Sequence, residues 1–232
     1  MNTTTYLVMQ NSYDAIELAL FTNGICIDAV RESKTNASKL AAPLISALLK
    51  KNECTFAQLS FLAVNQGPAP FTTLRVIIAT ANGISFATKL PLIGVDGLRA
   101  LLVQHRDANY SITIALLDAF NKDVYIAAER DGVFSYIGCE NIDNALEKLR
   151  TLYTEHKLRF VGLASIVYAE RILELFKNRA VIVHDSPLCS LEQLGATAYE
   201  IWQQQQGLSY QLFPLYLKHQ HYKNQLGEMK QI

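Results

Sequence analysis

The chain has 232 residues, enough for one large domain or two small ones sharing a core. Half of the residues are hydrophobic and 18% are charged, with 21 Lys and Arg balanced by 21 Asp and Glu. A neutral chain of this composition is an ordinary globular protein and does not grip nucleic acid through a broad basic surface.

Residues 6–9, 15–21 and 25–31 are short runs rich in apolar and β-branched residues, separated by the turn-forming clusters Asn11-Ser12-Tyr13-Asp14 and Thr22-Asn23-Gly24. They predict three antiparallel strands. Ser38 is a candidate N-cap for a helix over 39–51, whose stripe contains Leu40, Leu44 and Leu48 with Ala41, Ile45 and Leu49. Thr55 can cap a helical turn leading into a buried strand over 59–64. Gln66-Gly67-Pro68-Ala69-Pro70 then breaks the chain, because two prolines do not fit inside a regular element. A helix over 71–87, a strand over 92–95 and a helix capped by Asp96 and running to 102 complete a β-β-β-α-β-α order, which fits a mixed sheet flanked by helices.

The second part repeats this style. Residues 112–117, 124–129 and 133–137 read as strands, with Arg130-Asp131-Gly132 as a hairpin turn. Helices are expected over 144–153 and 166–176, with a short strand near Phe160-Val161 between them. A long helix over 191–206 precedes an irregular tail. Two strand-rich halves with flanking helices suggest a duplicated α/β design.

The four cysteines, Cys26, Cys54, Cys139 and Cys189, form no C-x-x-C pair and read as reduced thiols. No secretory signal pattern opens the chain. The most membrane-like stretch, 71–90, is interrupted by Arg75, Asn82, Gly83 and Lys89. A cytoplasmic protein without a membrane partner is expected.

The run Gly67-Pro68-Ala69-Pro70-Phe71-Thr72-Thr73-Leu74-Arg75 resembles the signature of the TsaB (YeaZ) family, Gly-Pro-Gly-Ser-Phe-Thr-Gly-Leu-Arg, and lies where that family has it, between a strand and an apolar helix. Pro91-Leu92-Ile93-Gly94-Val95, Leu98, Leu117-Asp118-Ala119, Asp123-Val124-Tyr125 and Pro214-Leu215-Tyr216-Leu217-Lys218 are similar to further family segments in the same order. Ala69, Pro70 and Thr73 depart from the signature. Gln10-Asn11-Ser12 stands where the family opens with an acid-containing Ile-Asp-Thr-Ser, and Ala37-Ser38-Lys39 where it often has His-Ser-Glu. The resemblance implies the actin-like ATPase fold of sugar kinases and Hsp70, in two related α/β halves with mixed sheets. The halves are expected at 1–107 and 108–232, with the last helix and tail packing back on the first. It also implies a non-catalytic subunit of the machinery that forms N6-threonylcarbamoyladenosine at position 37 of ANN-reading tRNAs. Such a subunit works with a TsaD-like catalytic subunit and a TsaE-like ATPase, meets tRNA only through the complex, and forms a homodimer when alone.

The residues offer little chemistry of their own. Actin-like ATPases hold Mg²⁺ and phosphates with an acid and a Gly-Thr-rich hairpin after the first strand. Here the equivalent turn is Gln10-Asn11-Ser12, and no Walker-type loop occurs elsewhere. The metal-binding His-x-x-x-His pair of TsaD is absent. His219 and His221 are spaced i, i+2 in the tail, and His105, His156 and His184 are isolated. Ser12, Ser186 and Cys189 have no evident catalytic partner. Asp118 is the best lone acid, with turn fixation as its ordinary role. No catalytic residue, cofactor or metal is therefore assigned. The alternative is a degenerate enzyme of the same fold, a kinase-like ATPase or an M22-type peptidase homologue.

Binding is better signalled. The helix after the signature is apolar on nearly every side, through Phe71, Leu74, Ile77, Ile78, Ala81 and Ile84 on one face and Val76, Ala79, Gly83 and Ala87 on another. A helix apolar all round needs cover all round: a sheet takes one face, and the other is left either to the neighbouring helix over 39–51 or, where that pair still presents surplus apolar surface, to a partner. The candidate partner interface is Leu44, Leu48, Phe71, Leu74, Ile77, Ile78 and Ala81, with Gly67, Pro68, Phe71, Thr72, Arg75 and Asp118 as the family-motif positions.

Overall fold

The computed structural model describes residues 3–33, 35, 37–217, 221–223 and 229–231; His219 and Lys218 lie outside them, as does the side chain of the proposed cap Ser38. The chain forms two compact units, one running to Arg106 and joined by Asp185–Leu215, the other built on Asp107–His184.

The first unit holds a six-stranded sheet. Strands β1 (Thr5–Asn11), β2 (Ala15–Thr22) and β3 (Ile25–Ser33) form an antiparallel meander. Strands β4 (Phe61–Asn65) and β5 (Leu92–Val95) add parallel to β1, and β11 (Leu208–Ser209) closes the edge, giving the order β11-β5-β4-β1-β2-β3. The parallel steps require crossovers, supplied by helices α1 (Ala37–Lys51) and α2 (Phe71–Thr88). Both lie on one face, where Ala41, Ile45, Leu48 and Leu49 of α1 and Leu74, Ile77, Ile78 and Ala81 of α2 share a core with Leu7, Met9, Leu18, Leu62 and Val64. Helix α2 ends where Lys89 takes a left-handed conformation and its N–H bonds back to the Ser85 carbonyl.

The other face is aromatic. Tyr6 stacks between Phe21 and Phe61, and Tyr199 and Trp202 of α7 (Leu191–Gln203) extend the stack. The Tyr6 hydroxyl donates to the Gly195 carbonyl at 2.9 Å, and a Cβ on Gly195 would sit 2.4 Å from the Phe21 ring, so only glycine lets α7 approach this closely. Helix α3 (Gly97–Gln104) packs beside α7 and is capped as expected by Asp96, which accepts from Leu98 N and Arg99 N.

The second unit repeats the plan in a five-stranded sheet of order β10-β9-β6-β7-β8. Strands β6 (Ile112–Asp118), β7 (Asp123–Arg130) and β8 (Val133–Asn141) form the meander, and β9 (Leu158–Val161) and β10 (Ala180–Ile182) add in parallel. Helix α4 (Ile142–Leu152), capped by Asn141, and the pair α5 (Leu163–Val167) and α6 (Ala169–Phe176) supply the crossovers. The single helix expected over 166–176 is thus two, breaking at Tyr168, and strand β8 runs four residues beyond 137, past a bulge between Ile126 and Ala127 on its partner. Two short strands, β10 and β11, carry no alternation and were not expected. A separate antiparallel pair, β12 (His221–Lys223) and β13 (Met229–Gln231), lies in the segment read as irregular.

Candidate functional site: the signature turn and the outer face of two helices

The signature turn leaves β4 at Asn65 and enters α2 at Phe71. Gly67 has φ +107°, a left-handed backbone that a side chain resists, and a Cβ there would meet Leu74 Cδ2 at 3.1 Å. Five hydrogen bonds hold the turn. Gly67 N–H donates to Asn65 Oδ1 at 2.8 Å, and its carbonyl accepts from Gly97 N–H at 2.9 Å. Gln66 N–H donates to the Val95 carbonyl, while its own carbonyl accepts from Leu215 N–H and its Nε2 donates to the Phe213 carbonyl.

Behind the turn lies a buried amide network. Asn65 Nδ2 donates to Gln10 Oε1 at 2.8 Å; Gln10 Nε2 donates to Glu17 Oε2 at 2.9 Å and to the Cys189 carbonyl at 3.1 Å. Glu17 in turn accepts from Arg31 Nε at 3.2 Å. Gln10, at the position where the sequence motif lacks its acid, is therefore fully engaged at both polar atoms. Burial pushes the neighbouring Cys189 thiol up to about 12, which keeps it protonated and inert. Asp96 is also raised, first by burial, against the two backbone N–H groups it accepts.

The residue-by-residue outcome for the interface candidates is mixed. Leu48, Leu74, Ile77, Ile78 and Ala81 are buried in the core of their own unit, so they are corrected from interface to core. Burying Leu48, Leu74, Ile77 and Ile78 against the sheet removes large apolar area from water, and Ala81 is buried among them. Leu44 is half-buried against the same core, and Phe71 is 40% exposed with the Arg75 guanidinium 3.8 Å from its ring centre. The outer face of α2 carries small or short residues: Thr72, Ala79, Gly83 and Ala87 are exposed and Val76 and Thr80 half-buried, with Phe86 beside them at 79% exposure. On α1 the exposed counterparts are Ala42, Pro43 and Ala47, flanked by half-buried Leu40 and Leu44. Gly67 and Pro68 are buried and Thr72 and Arg75 exposed, so the motif has a structural half and a surface half. Asp118 lies in the other unit, where its Oδ1 accepts from Phe120 N–H and fixes the turn after β6.

The segment after the last helix completes the surface. After β11 the chain crosses the flank of α2 as a strap. Ser85 Oγ donates to the Tyr210 carbonyl, and Asn82 bonds both backbone groups of Leu212, donating from Nδ2 to its carbonyl at 3.0 Å and accepting its N–H at 2.8 Å. Of the strap residues 210–215 only Leu212 is buried; Tyr210 and Phe213 are exposed. A cavity of about 480 Å³ between α3 and α7 is lined by Arg99 and Arg106 but also by Asp96 and Glu200, so its charges cancel rather than select an ion. Among the described residues no group of three or more His, Cys, Asp or Glu is placed to hold a metal, and no helix is long and apolar enough to cross a membrane.

Residues 31–193 match the model of a family described as TsaD: tRNA N6-adenosine threonylcarbamoyltransferase. The chain belongs to this family. Two of its relatives are proteins named tRNA threonylcarbamoyladenosine biosynthesis protein TsaB from Buchnera aphidicola. The one from subspecies Baizongia pistaciae is 25% identical over 224 residues, covering 92% of this chain and 97% of that protein. The one from subspecies Acyrthosiphon pisum is 26% identical over 61% of this chain, and the match spans 65% of that protein, just under two thirds of its length. The solved structure of YeaZ from Pseudomonas aeruginosa superposes with a TM-score of 0.72 at 24% identity, over 92% of this chain and 100% of that one. A putative N-acetylmannosamine kinase, Lmo2764 from Listeria monocytogenes, superposes at 0.54 with 9% identity over 87% and 100%. These likenesses, with the twice-repeated sheet order, give this chain the actin-like ATPase fold.

Proposed function

We propose that this chain is a TsaB-type subunit in the formation of N6-threonylcarbamoyladenosine on tRNA, and that it binds a TsaD-type catalytic subunit without contributing catalytic groups. One observation carries the reading. Helices α1 and α2 bury Ile45, Leu48, Leu49, Leu74, Ile77 and Ile78 inward and leave the small residues Ala42, Pro43, Ala47, Ala79 and Gly83 exposed, with half-buried Val76 and exposed Phe86 beside them. Small side chains let a partner's helices approach closely, and a face of this kind left in water favours association. The non-catalytic role is supported by Gln10, an amide where the nucleotide-hydrolysing members of this fold place an acid, with both its polar atoms already bonded within the chain. Nothing favours the alternative of a degenerate kinase-like ATPase or M22-type peptidase homologue over this reading. A TsaE-like ATPase and tRNA join through the catalytic subunit, in the cytoplasm, and the chain forms a homodimer through the same face when alone.

The test is reconstitution. The purified chain and the TsaD-type protein of the same organism should co-elute as a complex, and threonylcarbamoyladenosine formation on tRNA should require both. Full activity of the TsaD-type system without this chain, or separate elution of the two at micromolar concentration, refutes the proposal.

A further inference from the structure

We infer that Gln10 and Asn65 are positioning residues for the signature turn, held in one amide orientation by Glu17, and that they set the start of α2 for its partner. The inference rests on the reading of α2 as a partner helix. A primary amide keeps its shape when flipped end for end, so its orientation is decided by what each end must bond. At one end of this chain of groups stand two pure acceptors, the Glu17 carboxylate and the Cys189 carbonyl, which take the NH₂ of Gln10. Gln10 Oε1 must then face Asn65, which answers with Nδ2. That leaves Asn65 Oδ1 for the Gly67 N–H, a pure donor at the far end. One polarity satisfies every link, and the reversed polarity fails at both ends.

Water cannot stand in for a lost link, because Gln10 and Asn65 are 2% and 1% exposed. Neighbouring backbone holds the same geometry. A Cβ on Gly97 would lie 2.7 Å from Asn65 Oδ1 and 3.0 Å from the Gly67 carbonyl oxygen, so glycine is needed where the turn, the amide and α3 meet. Gly67 is in turn packed on Leu74, one turn into α2, so a shifted turn displaces the stretch that presents Thr72 and Arg75.

Polarity gives a test that packing alone would not meet. Asn65→Asp keeps the acceptor for Gly67 but removes the donor to Gln10, whose amide must flip and turn its oxygen on Glu17. Adding Glu17→Gln supplies a donor to the flipped oxygen, so the double variant regains that link and leaves only the Cys189 carbonyl without its donor. Affinity for the TsaD-type protein should fall at least tenfold in N65D, and the E17Q/N65D variant should recover at least half of the loss on a logarithmic scale. Nuclear Overhauser contacts of the Gln10 NH₂ should move from residue 17 to residue 65. Additive losses, or an NH₂ that stays beside residue 17 in N65D, overturn the inference. If N65D does not fold, Asn65→Ala should raise Gly67 amide exchange at least tenfold, and unchanged exchange overturns it. A wild-type chain that ignores the TsaD-type protein refutes the functional reading separately, and the Gln10 contacts and Gly67 exchange then decide on the positioning chain alone. A changed Gly67 exchange with unchanged affinity in a binding-competent chain overturns the link to α2.

Discussion

Asn82 holds the C-terminal strap onto α2, and replacing it with alanine isolates what that hold contributes. The side chain makes two hydrogen bonds to the backbone of Leu212, at 2.8 and 3.0 Å, and Leu212 is the one strap residue inserted into the core. Each bond contributes about 1 kcal/mol net, and a buried backbone group left unpaired costs about 1–3 kcal/mol. The neighbouring bonds from Ser85 and Gln66 remain, so the strap loosens rather than leaves, and the full Leu burial of about 2 kcal/mol is only partly lost. The expected destabilisation is about 2–3 kcal/mol, a fall in Tm of about 4–12 °C for a chain of this size. Urea unfolding should report it, and the Leu212 amide should exchange at least tenfold faster than in the wild type. Asn82→Asp adds a pH signature. Its carboxylate keeps the Leu212 N–H but opposes the Leu212 carbonyl, which raises its folded pKa above the unfolded value near 3.9. A raised folded pKa means the variant is least penalised at low pH and loses stability as pH rises through that pKa. If Asn82→Ala melts with the wild type and Leu212 exchange is unchanged, the strap is held by something other than these bonds.

Three further outcomes are expected. Ala79→Glu on the exposed face should change stability by no more than about 0.5 kcal/mol yet abolish co-elution with the TsaD-type protein, whereas Ile77→Glu, fully buried two residues earlier, should prevent folding by placing an unpaired charge in the core; an Ala79→Glu chain that binds normally moves the interface elsewhere. Gly67→Ala should cost about 1–3 kcal/mol, since it combines a left-handed backbone with a 3.1 Å approach to Leu74, and a denaturant midpoint equal to the wild type would contradict the strain argument. Iodoacetamide at pH 8 should label the half-buried Cys26, Cys54 and Cys139 while Cys189, fully buried with its thiol pushed up to about 12, reacts only on unfolding, as peptide mass spectrometry can follow.

The regular elements were legible because their signals are local. The turn clusters at 11–14 and 22–24 bracket β2, and helix α2 ends one residue beyond its expected limit because Pro91 and the left-handed Lys89 stop it. What escaped was set by partners distant in sequence. The break between α5 and α6 follows no glycine or proline, and β11 is two residues long, paired only because it reaches Ile93 and Leu92. Facing was the main error. Ile77 and Ala79 both belong on an apolar helix, and periodicity assigns them to different faces without saying which one the sheet covers. Leu74, Ile77 and Ile78 fill the space over Leu62 and Val64, but Ala81 is buried with them and Phe86 stays exposed, so side-chain size alone does not fix the facing either. The link from Gln10 to Asn65 spans 55 positions and leaves no pattern in either segment.

The late return of Asp185–Leu215 to the first unit has a consequence for synthesis. Helix α7 covers the aromatic face of a sheet whose other strands, β11 apart, are complete by residue 95. On the ribosome, Tyr6, Phe21 and Phe61 must wait for it while Asp107–His184 of the second unit is translated. At about 5–20 residues per second that interval lasts on the order of ten seconds. The nascent chain therefore presents a sticky, half-finished sheet to the cell on every round of translation, a natural client for a chaperone at the exit tunnel, and a premature stop before Leu191 leaves that face permanently bare.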